Sequence, residues 1–167
     1  ESESKKADEE IVDLRGIVMA VKKDCMAAKK PPKKFEVDFK DSGAILGDEV
    51  RIQSIVTNII ENALRYCDKD GEISVIWFTD AAGGHLSIRD NGIGMEEKHL
   101  ERITERFYRI DKGRSRKLGG TGLGLAIVKY ALQAHEATLE IKSEVGVGSE
   151  FICSFPIDRI HDEVINV

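Results

Sequence analysis

The sequence lacks the features that would predict a membrane-spanning segment, a zinc site or a disulfide framework. No apolar run approaches bilayer-spanning length and no signal peptide opens the chain, so we expect a cytoplasmic domain. Its three cysteines, Cys25, Cys67 and Cys153, are far apart and include no Cys-x-x-Cys pair. This spacing argues against zinc and disulfide sites and predicts buried, reduced thiols.

Two common phosphate-binding fingerprints are also absent. The chain contains no Gly-x-Gly-x-x-Gly and no Gly-Lys-[Ser/Thr], which excludes the dinucleotide-binding and P-loop motifs. Its formal net charge of −5 argues against general nucleic-acid binding. Residues 109–117 nevertheless hold five basic residues and one acid, which indicates either a solvated loop or a site for a small anion.

Glycine is concentrated in two blocks that flank this basic segment. Asp90-Asn-Gly92-Ile-Gly94 follows a strand-like run, and Gly-Gly-Thr-Gly-Leu-Gly-Leu at 119–125 opens an apolar helical pattern. Glycine lets the main chain approach a ligand closely, and free N–H groups at a helix start attract anions. Each block alone predicts only a turn. Together with the basic loop they predict a nucleotide pocket, with Asp90 at the base and the glycines at the phosphates.

Apolar periodicity predicts helices and strands along the rest of the chain. A first helix is predicted from Ile11 to about Ala28, and a second over Asp48–Tyr66 with Asp48 as its N-cap. A third is predicted to run from a cap at Thr121 to about His135. Residues 96–109 have helical character. Phe107 and Tyr108 there are predicted to anchor the lid on the body, with plain packing at the surface as the alternative. Predicted strands cover 34–39, 44–46, 72–78, 85–90, 138–143 and 150–155.

A polar stripe on the second predicted helix supports the pocket. Asn58, Asn62 and Arg65 share one face beside a broad apolar face. Asparagine is a poor helix former, so two of them one turn apart suggest a role in holding a metal ion or phosphate oxygens. Simple solvent exposure is the alternative.

Five blocks of the chain follow one another in a characteristic order. They are Asn58-Ile-Ile-Glu-Asn62-Ala-Leu-Arg65-Tyr66, Asp90-Asn-Gly92-Ile-Gly94, Arg106-Phe-Tyr-Arg109, Gly120-Thr-Gly122-Leu-Gly124-Leu125 and Gly146-Val-Gly148-Ser-Glu-Phe151. In this order they resemble the catalytic ATP-binding domain of sensor histidine kinases, in the superfamily shared with gyrase, Hsp90 and MutL. The resemblance covers roughly Ile11 to Pro156, and the third block with its surroundings looks most like phosphate-regulon sensor kinases.

The resemblance implies the GHKL or Bergerat fold. This fold is an α+β two-layer sandwich: a mixed, largely antiparallel five-stranded sheet with about three helices on one face and a long ATP lid. We expect residues 1–10 to be a charged tail, 11–157 the catalytic domain with its lid at about 92–120, and 158–167 a C-terminal tail.

The resemblance also implies ATP and Mg²⁺ as cofactors and assigns roles to individual residues. Asp90 accepts from the adenine amine, Asn62 ligates Mg²⁺ with Asn58 beside it, and Arg109 neutralises developing charge. The implied catalytic residues are Asn58, Glu61 and Arg109, and the implied metal ligands are Asn62 and Asn58. The implied nucleotide contacts are Asn58, Asn62, Arg65, Tyr66, Asp90, Gly92, Gly94, Arg109, Gly120, Thr121, Gly122, Leu123, Gly124, Leu125, Gly148 and Ser149.

The residue at position 58 bears on whether the site hydrolyses ATP or transfers its γ-phosphoryl group. Relatives that hydrolyse ATP carry a glutamate there, whereas an amide cannot act as a general base. The γ-phosphoryl is then kept for a histidine on a separate dimerisation domain, for relay to an aspartate of a response regulator. None of His85, His99, His135 and His161 has the expected acceptor context; His135-Glu-Ala-Thr is a decoy at a helix end.

The implied partners are therefore the dimerisation domain and, indirectly, the receiver domain, with no nucleic acid. We expect the isolated domain to be monomeric and the full kinase to be a membrane-anchored homodimer with this domain in the cytoplasm. Three alternatives remain: an ATP-driven clamp, a serine kinase that acts as an anti-sigma factor, and a non-enzymatic nucleotide-gated module. Asn58 and the lack of a transducer domain count against the clamp, and the Phe-Tyr-Arg block and basic lid against the serine kinase.

Overall fold

Seven strands and four helices are formed by the residues that the computed structural model describes, 9–67, 70–108 and 123–161. The strands are β1 (Glu10–Asp13), β2 (Lys34–Phe39), β3 (Ala44–Gly47), β4 (Glu72–Asp80), β5 (Gly83–Asp90), β6 (Thr138–Glu144) and β7 (Gly148–Pro156). The helices are α1 (Leu14–Met26), α2 (Glu49–Arg65), α3 (Glu97–Leu100) and α4 (Gly124–Ala134), and Ile157–Arg159 form a 3₁₀ turn. No helix in this part of the chain is long and apolar enough to cross a membrane.

Five strands form one mixed sheet in the order β2-β4-β5-β7-β6. Strands β2 and β4 run parallel, whereas each of the other three pairs is antiparallel. A separate two-stranded sheet joins β1 to β3. The predicted mixed, largely antiparallel five-stranded sheet is therefore confirmed.

One face of the sheet is buried under the helices. Alternate residues along β4, β5 and β7, such as Val75, Ile88 and Phe151, are almost fully buried. The apolar face of α2 packs over them because its buried residues recur at helical spacing. These residues are Ile52, Ile55, Val56, Ile59, Ile60 and Ala63. This packing produces the two-layer sandwich that the resemblance implied.

The start of the chain differs from the prediction of a helix at Ile11. Residues 10–13 pair with β3 instead, and the helix begins at Leu14. Asp13 fixes this start, since its side chain accepts a hydrogen bond of 3.0 Å from Gly16 N. The apolar residues Ile11 and Val12 therefore alternate as a strand does, with Ile11 exposed and Val12 buried.

The packed residues extend beyond the predicted boundaries at 11 and 157. The guanidinium of Arg159 is buried and forms ion pairs with Glu9 and Glu136. It also donates to the carbonyl of Leu46, at 3.3 Å. Both ends of the described chain are therefore fastened to β3 and to the residues that follow α4.

The segment after β5 forms less helix than its sequence predicted, since only α3 is helical and turns continue to Tyr108. Tyr108 packs against the core, and its hydroxyl hydrogen-bonds with His99 Nδ1. Phe107 is 62% exposed, because its left-handed backbone (φ 65°) turns the ring outward. The prediction that Phe107 anchors this segment is wrong. Tyr108 provides the contact with the core.

The cysteines follow their prediction only in part. All three are free thiols. Cys153 is buried in the core, which raises the pKa of its thiol to about 12, whereas Cys25 and Cys67 are half-buried. Cys25 lies on α1 near the end of that helix, so its thiol is only partly covered.

His135 links the end of α4 to the start of α2. Its ring is buried, its Nδ1 donates to the carbonyl of Ala131 at 2.7 Å, and its Nε2 accepts from the backbone of Asp48 at 3.0 Å. Burial lowers the pKa of this imidazole, so the neutral form is favoured in the folded protein. Both ring nitrogens are occupied by structural hydrogen bonds, which fits a decoy and not a phosphoryl acceptor.

The stability of the domain should fall as pH is lowered from about 7.5 to about 5.5, in part because of His135. The unfolded chain takes up a proton at this residue near its ordinary pKa of 6.5, while the folded protein resists protonation. His135→Gln keeps one donor and one acceptor but does not titrate. We expect its urea-unfolding free energy to depend less on pH than that of the wild type.

Gln133→Ala, an exposed change on α4 that removes no titrating group, is the control and should keep the wild-type pH dependence. An unchanged pH dependence in His135→Gln would show that the link does not contribute to acid sensitivity.

Candidate functional site

The site is built around the carboxylate of Asp90 at the end of β5, the central strand of the sheet. Asp90 is 8% exposed, and its Oδ1 accepts a hydrogen bond of 2.8 Å from Gly92 N. Burial raises the pKa of this carboxyl, while backbone N–H groups of Gly92 and Ser149 partly offset the shift. A buried acceptor with so few protein donors is suited to a ligand donor.

A narrow cavity of about 40 Å³ opens beside Asp90. Helix α2 provides one wall, the residues after β5 a second, and β7 the third. The residues that line it are Asn62, Tyr66, Asp90, Ile93, Gly94, Met95 and Ser149. The first, second and last of the five sequence blocks thus meet at one place, although they are far apart in the chain.

Two glycines allow the backbone to close around this cavity. Gly94 has φ of 74°, and a Cβ there would lie 2.1 Å from the carbonyl oxygen of Glu144. Gly148 has φ of 140°, and a Cβ there would lie 2.0 Å from the carbonyl oxygen of Asp90. Both positions therefore require glycine for conformation and for close approach.

The polar stripe of α2 runs from the cavity to the start of α4. Asn62 lines the cavity, and Asn58 lies one turn earlier. The amide nitrogen of Asn58 donates to the carbonyl of Ser54 at 2.8 Å. A Cβ built on Gly124 would lie only 3.1 Å from Asn58 Oδ1, so this oxygen is beside the first residue of α4.

The remaining predicted residues fall into three groups. Arg65 and Tyr66 end α2, and the carbonyl of Tyr66 accepts from Ile93 N at 3.1 Å. Leu123, Gly124 and Leu125 lie at the start of α4, where Leu125 is buried. The predicted contacts Arg109, Gly120, Thr121 and Gly122, including the predicted helix cap, lie outside the described residues.

Glu61 stands apart from the cavity. It is exposed on α2 and is not among the residues that line the cavity. Its charge contributes to the raised pKa of Cys25 on α1, which places Glu61 on the side of α2 that faces that helix. Among the described residues, no cluster of three or more His, Cys, Asp or Glu side chains is suited to a metal.

Sequence reasoning missed the residues that support the pocket through long-range contacts. Ser143 on β6 accepts from Met95 N at 2.7 Å and lies 2.7 Å from Ser149 Oγ. Asn91 accepts from Glu72 N at 2.8 Å and donates to the carbonyl of Asp70 at 3.2 Å. Asn91 therefore holds the connection between α2 and β4. The sequence signal for each was its position alone, since Asn91 is inside the second block and Ser143 lies shortly before the last block.

A larger, open cavity of about 480 Å³ lies against the other face of the sheet. It shares Asp90 and Ser149 with the narrow cavity, but six of its fifteen lining residues are exposed charged side chains. The Arg89 guanidinium there is 3.4 Å from Glu150, so opposite charges already pair with each other. The narrow cavity, with its buried acceptor and facing amide, is the better candidate site.

Comparisons with known proteins agree with this assignment. A family model for histidine kinase-, DNA gyrase B- and HSP90-like ATPases matches residues 47–159. The chain is 41% identical over 149 residues to the phosphate regulon sensor protein PhoR of Pseudomonas aeruginosa, covering 89% of this chain and 34% of PhoR. It is 35% identical over 150 residues to the sensor-like histidine kinase SenX3 of Mycolicibacterium smegmatis, covering 89% of this chain and 39% of SenX3.

A solved structure has the same fold. The mycobacterial sensor histidine kinase MprB superposes with a TM-score of 0.77 at 24% identity, covering 89% of this chain and 97% of that chain. The chain spans little more than a third of the length of the two curated relatives above.

Replacing Asp90 with asparagine should stabilise the fold at neutral pH. The pKa of Asp90 is higher in the folded protein than in the unfolded chain, so ionising this residue lowers the free energy of unfolding. This loss of stability is absent at pH values below the ordinary pKa and is complete above the pKa of the folded protein. The gain in melting temperature for Asp90→Asn should therefore be larger at about pH 7 than at about pH 4. Thermal unfolding of both proteins measures this difference.

Asp38→Asn, which removes an exposed carboxylate from β2, is the matched control and should show no such pH-dependent gain. A gain of equal size at the two pH values would contradict a buried, ionised Asp90.

Proposed function

Because the chain belongs to the family of histidine kinase-, DNA gyrase B- and HSP90-like ATPases, we propose that it is the ATP-binding catalytic domain of a sensor histidine kinase. The family resemblance drawn from the five sequence blocks is confirmed by this membership. The curated relatives above are both named as sensor proteins, and the chain aligns with about a third of each. Kinase activity, substrate and partners are therefore our proposal for this chain.

The observation that carries the proposal is the buried carboxylate of Asp90, which lines one cavity together with Asn62. A purine amine is a hydrogen-bond donor that matches this acceptor, and a hydrogen bond to a charged group contributes more than a neutral one. The cavity of about 40 Å³ has room for only a few waters. We therefore expect Ile93 and Met95, which border it, to move outward when the base enters.

The residues present fit a nucleotide-bound Mg²⁺ ion. Mg²⁺ prefers oxygen ligands, keeps several waters and takes only one or two ligands from the protein, with phosphates completing the set. Asn62 lines the cavity with an amide side chain. The amide nitrogen of Asn58 donates a hydrogen bond to the carbonyl of Ser54, and the amide oxygen of Asn58 lies beside the start of α4. In our proposal Asn62 holds the ion and Asn58 supports the phosphate region. The ion would neutralise phosphate charge.

The start of α4 is the proposed phosphate end of the site. Unpaired N–H groups at a helix N-terminus and the helix dipole both favour anions. Gly124 opens this helix next to Asn58, so phosphates there would be within reach of the polar stripe of α2. The glycines at 120 and 122, together with Arg109, are proposed to complete this end.

The amide at Asn58 favours transfer over hydrolysis. An asparagine cannot take a proton from water, so the site supplies no general base at this position. We propose that the γ-phosphoryl passes to a histidine on a separate dimerisation domain and then to a receiver-domain aspartate. Glu61 is exposed and faces α1, so any catalytic role for it would be indirect. The proposed setting is the cytoplasmic part of a membrane-anchored homodimer.

Two substitutions should separate base recognition from metal binding. Asp90→Asn should weaken ATP binding and reduce the preference for ATP over GTP, because the charged acceptor is lost. Asn62→Ala should weaken binding with Mg²⁺ more than binding without it. Each loss should be about 1.5–3 kcal/mol, roughly tenfold to a hundredfold in Kd by calorimetric titration.

Gln53→Ala, an exposed change on the same helix, is the control for Asn62 and should bind as the wild type does. Unchanged ATP affinity in Asp90→Asn would remove the base-recognition role. Equal losses with and without Mg²⁺ in Asn62→Ala would remove the metal role.

The reaction itself is tested by supplying labelled ATP with and without the dimerisation domain of a PhoR-like kinase. We expect a phosphohistidine on the supplied domain and little free phosphate when that domain is omitted. Asn58→Glu should raise the rate of phosphate release, because it places a carboxylate where water could be activated. Rapid ATP hydrolysis by the unaltered domain would favour the ATP-driven clamp, and binding without transfer would favour a nucleotide-gated module.

A further inference from the structure

Helix α1 has an outer face that the nucleotide site does not use. Its inner face, with Leu14 and Val18, is buried in the core. The outer face carries residues at positions three, four and seven apart, which share one side of a helix. These are Arg15, Met19, Lys22, Lys23 and Met26, a set we call the α1 outer stripe. It contains three cations, two methionines and no acid.

The two methionines of the α1 outer stripe are unusually open for large apolar side chains. Met19 is 37% exposed and Met26 is 41% exposed, and both border a shallow groove with Lys22 and Lys23. Flexible, polarisable methionines suit adaptable contact surfaces. Lysines beside them can lay their aliphatic stems along an apolar surface and keep their charges at its rim.

The loop after α1 extends the positive charge. Lys29, Lys30, Lys33 and Lys34 are exposed, and of these only Lys34 forms an ion pair with another described residue, at 3.6 Å from Glu36. Residues 15–34 contain seven basic residues and one acid, a net charge of +6. Since the whole chain has a net charge of −5, the remainder carries −11. The charge is therefore strongly separated along the molecule.

We propose that the α1 outer stripe and the following lysine loop form a docking surface for an anionic lipid bilayer. A basic helical face with exposed apolar residues is the arrangement that binds in the headgroup region. Each lysine near an anionic leaflet adds to the attraction, so several acting together give measurable binding. The acidic remainder of the molecule is repelled by the same surface, which fixes the orientation of the domain.

A lipid surface fits these observations better than an acidic protein does. The lysines are spread over a helix and a loop and are not gathered around a pocket for particular side chains. The methionine groove is open and shallow, whereas a peptide helix needs a longer apolar groove. A bilayer has diffuse negative charge at its surface and an apolar layer beneath. The lysines match the negative charge, and the methionines of the α1 outer stripe match the apolar layer.

Sedimentation with vesicles tests the proposal and does not require nucleotide or kinase activity. The domain should pellet with phosphatidylcholine vesicles that contain about 30% phosphatidylglycerol and not with phosphatidylcholine alone. Binding should weaken by at least about tenfold when salt is raised from about 0.05 M to about 0.5 M. Calorimetry with ATP on the same protein would show that the nucleotide site is intact, so the two proposals fail independently.

Two variants separate the contribution of the positive charges to vesicle binding from that of the apolar side chains. Lys22, Lys23, Lys29 and Lys30 changed together to glutamine should lower vesicle partitioning by at least about tenfold. Met19→Ser with Met26→Ser should lower it less, by a few-fold, and should leave the salt dependence intact. The matched control changes Lys40, Lys98, Lys129 and Lys142 to glutamine, which removes the same charge elsewhere and should cause a much smaller loss.

Three outcomes would overturn the proposal: no binding of the unaltered domain to anionic vesicles, equal binding to neutral vesicles, or equal loss in the control variant. Tighter binding to a soluble acidic peptide than to vesicles, without any effect of the methionine changes, would also overturn it in favour of a protein partner. Circular dichroism of each variant confirms that a loss of binding is not a loss of fold.

Discussion

The close approach of Gly148 to the carbonyl of Asp90 is the contact on which the site depends. It brings the start of β7 against the end of β5, the middle strand of the sheet, and leaves no space for a side chain. At this contact Asp90 is buried, and it lines the narrow cavity together with Asn62 of α2. A wider separation would let water reach the carboxylate, and the selectivity that burial gives would be lost.

Residues 90–92 combine a structural role with a proposed role in ligand recognition. Asp90 faces the cavity, Asn91 ties down the chain between α2 and β4, and the N–H of Gly92 returns to Asp90. Adjacent residues in an extended chain point in opposite directions, which is why one segment can serve both purposes. The arrangement explains why this block contains an asparagine as well as an acid.

Much of the architecture could be predicted from the sequence because it rests on local periodicity. The apolar stripe of α2 and the alternation in β4, β5 and β7 predicted that helix and those strands, and the structure has them. Their arrangement as a two-layer sandwich was implied by the family resemblance and not by periodicity. The strand β1 could not be predicted, since it exists only by pairing with β3, more than thirty residues away. Its four residues alone resemble the first turn of the helix that follows.

Some residues of the site could be predicted from the sequence and others could not, because the others depend on contacts between distant parts of the chain. Asp90 and Asn62 stood out by residue type and spacing, and they do line one cavity. Ser143 did not, because a serine in a strand has no special meaning until the fold brings it to Ser149 and Met95. Phe107 and Tyr108 were indistinguishable as a sequence pair, and backbone conformation alone separates the exposed ring from the packed one.

The ion pair between Glu9 and Arg159 has a mechanical consequence. It brings the two ends of the described chain together at β3, where Ile160 also pairs with Ile45. A unit whose ends lie close together can form part of a longer chain without displacing the segments on either side of it. Tension or torque arriving through either end then meets the contact of Glu9 and Arg159 with β3 before it reaches β7 and β5, which hold the Asp90 carboxylate.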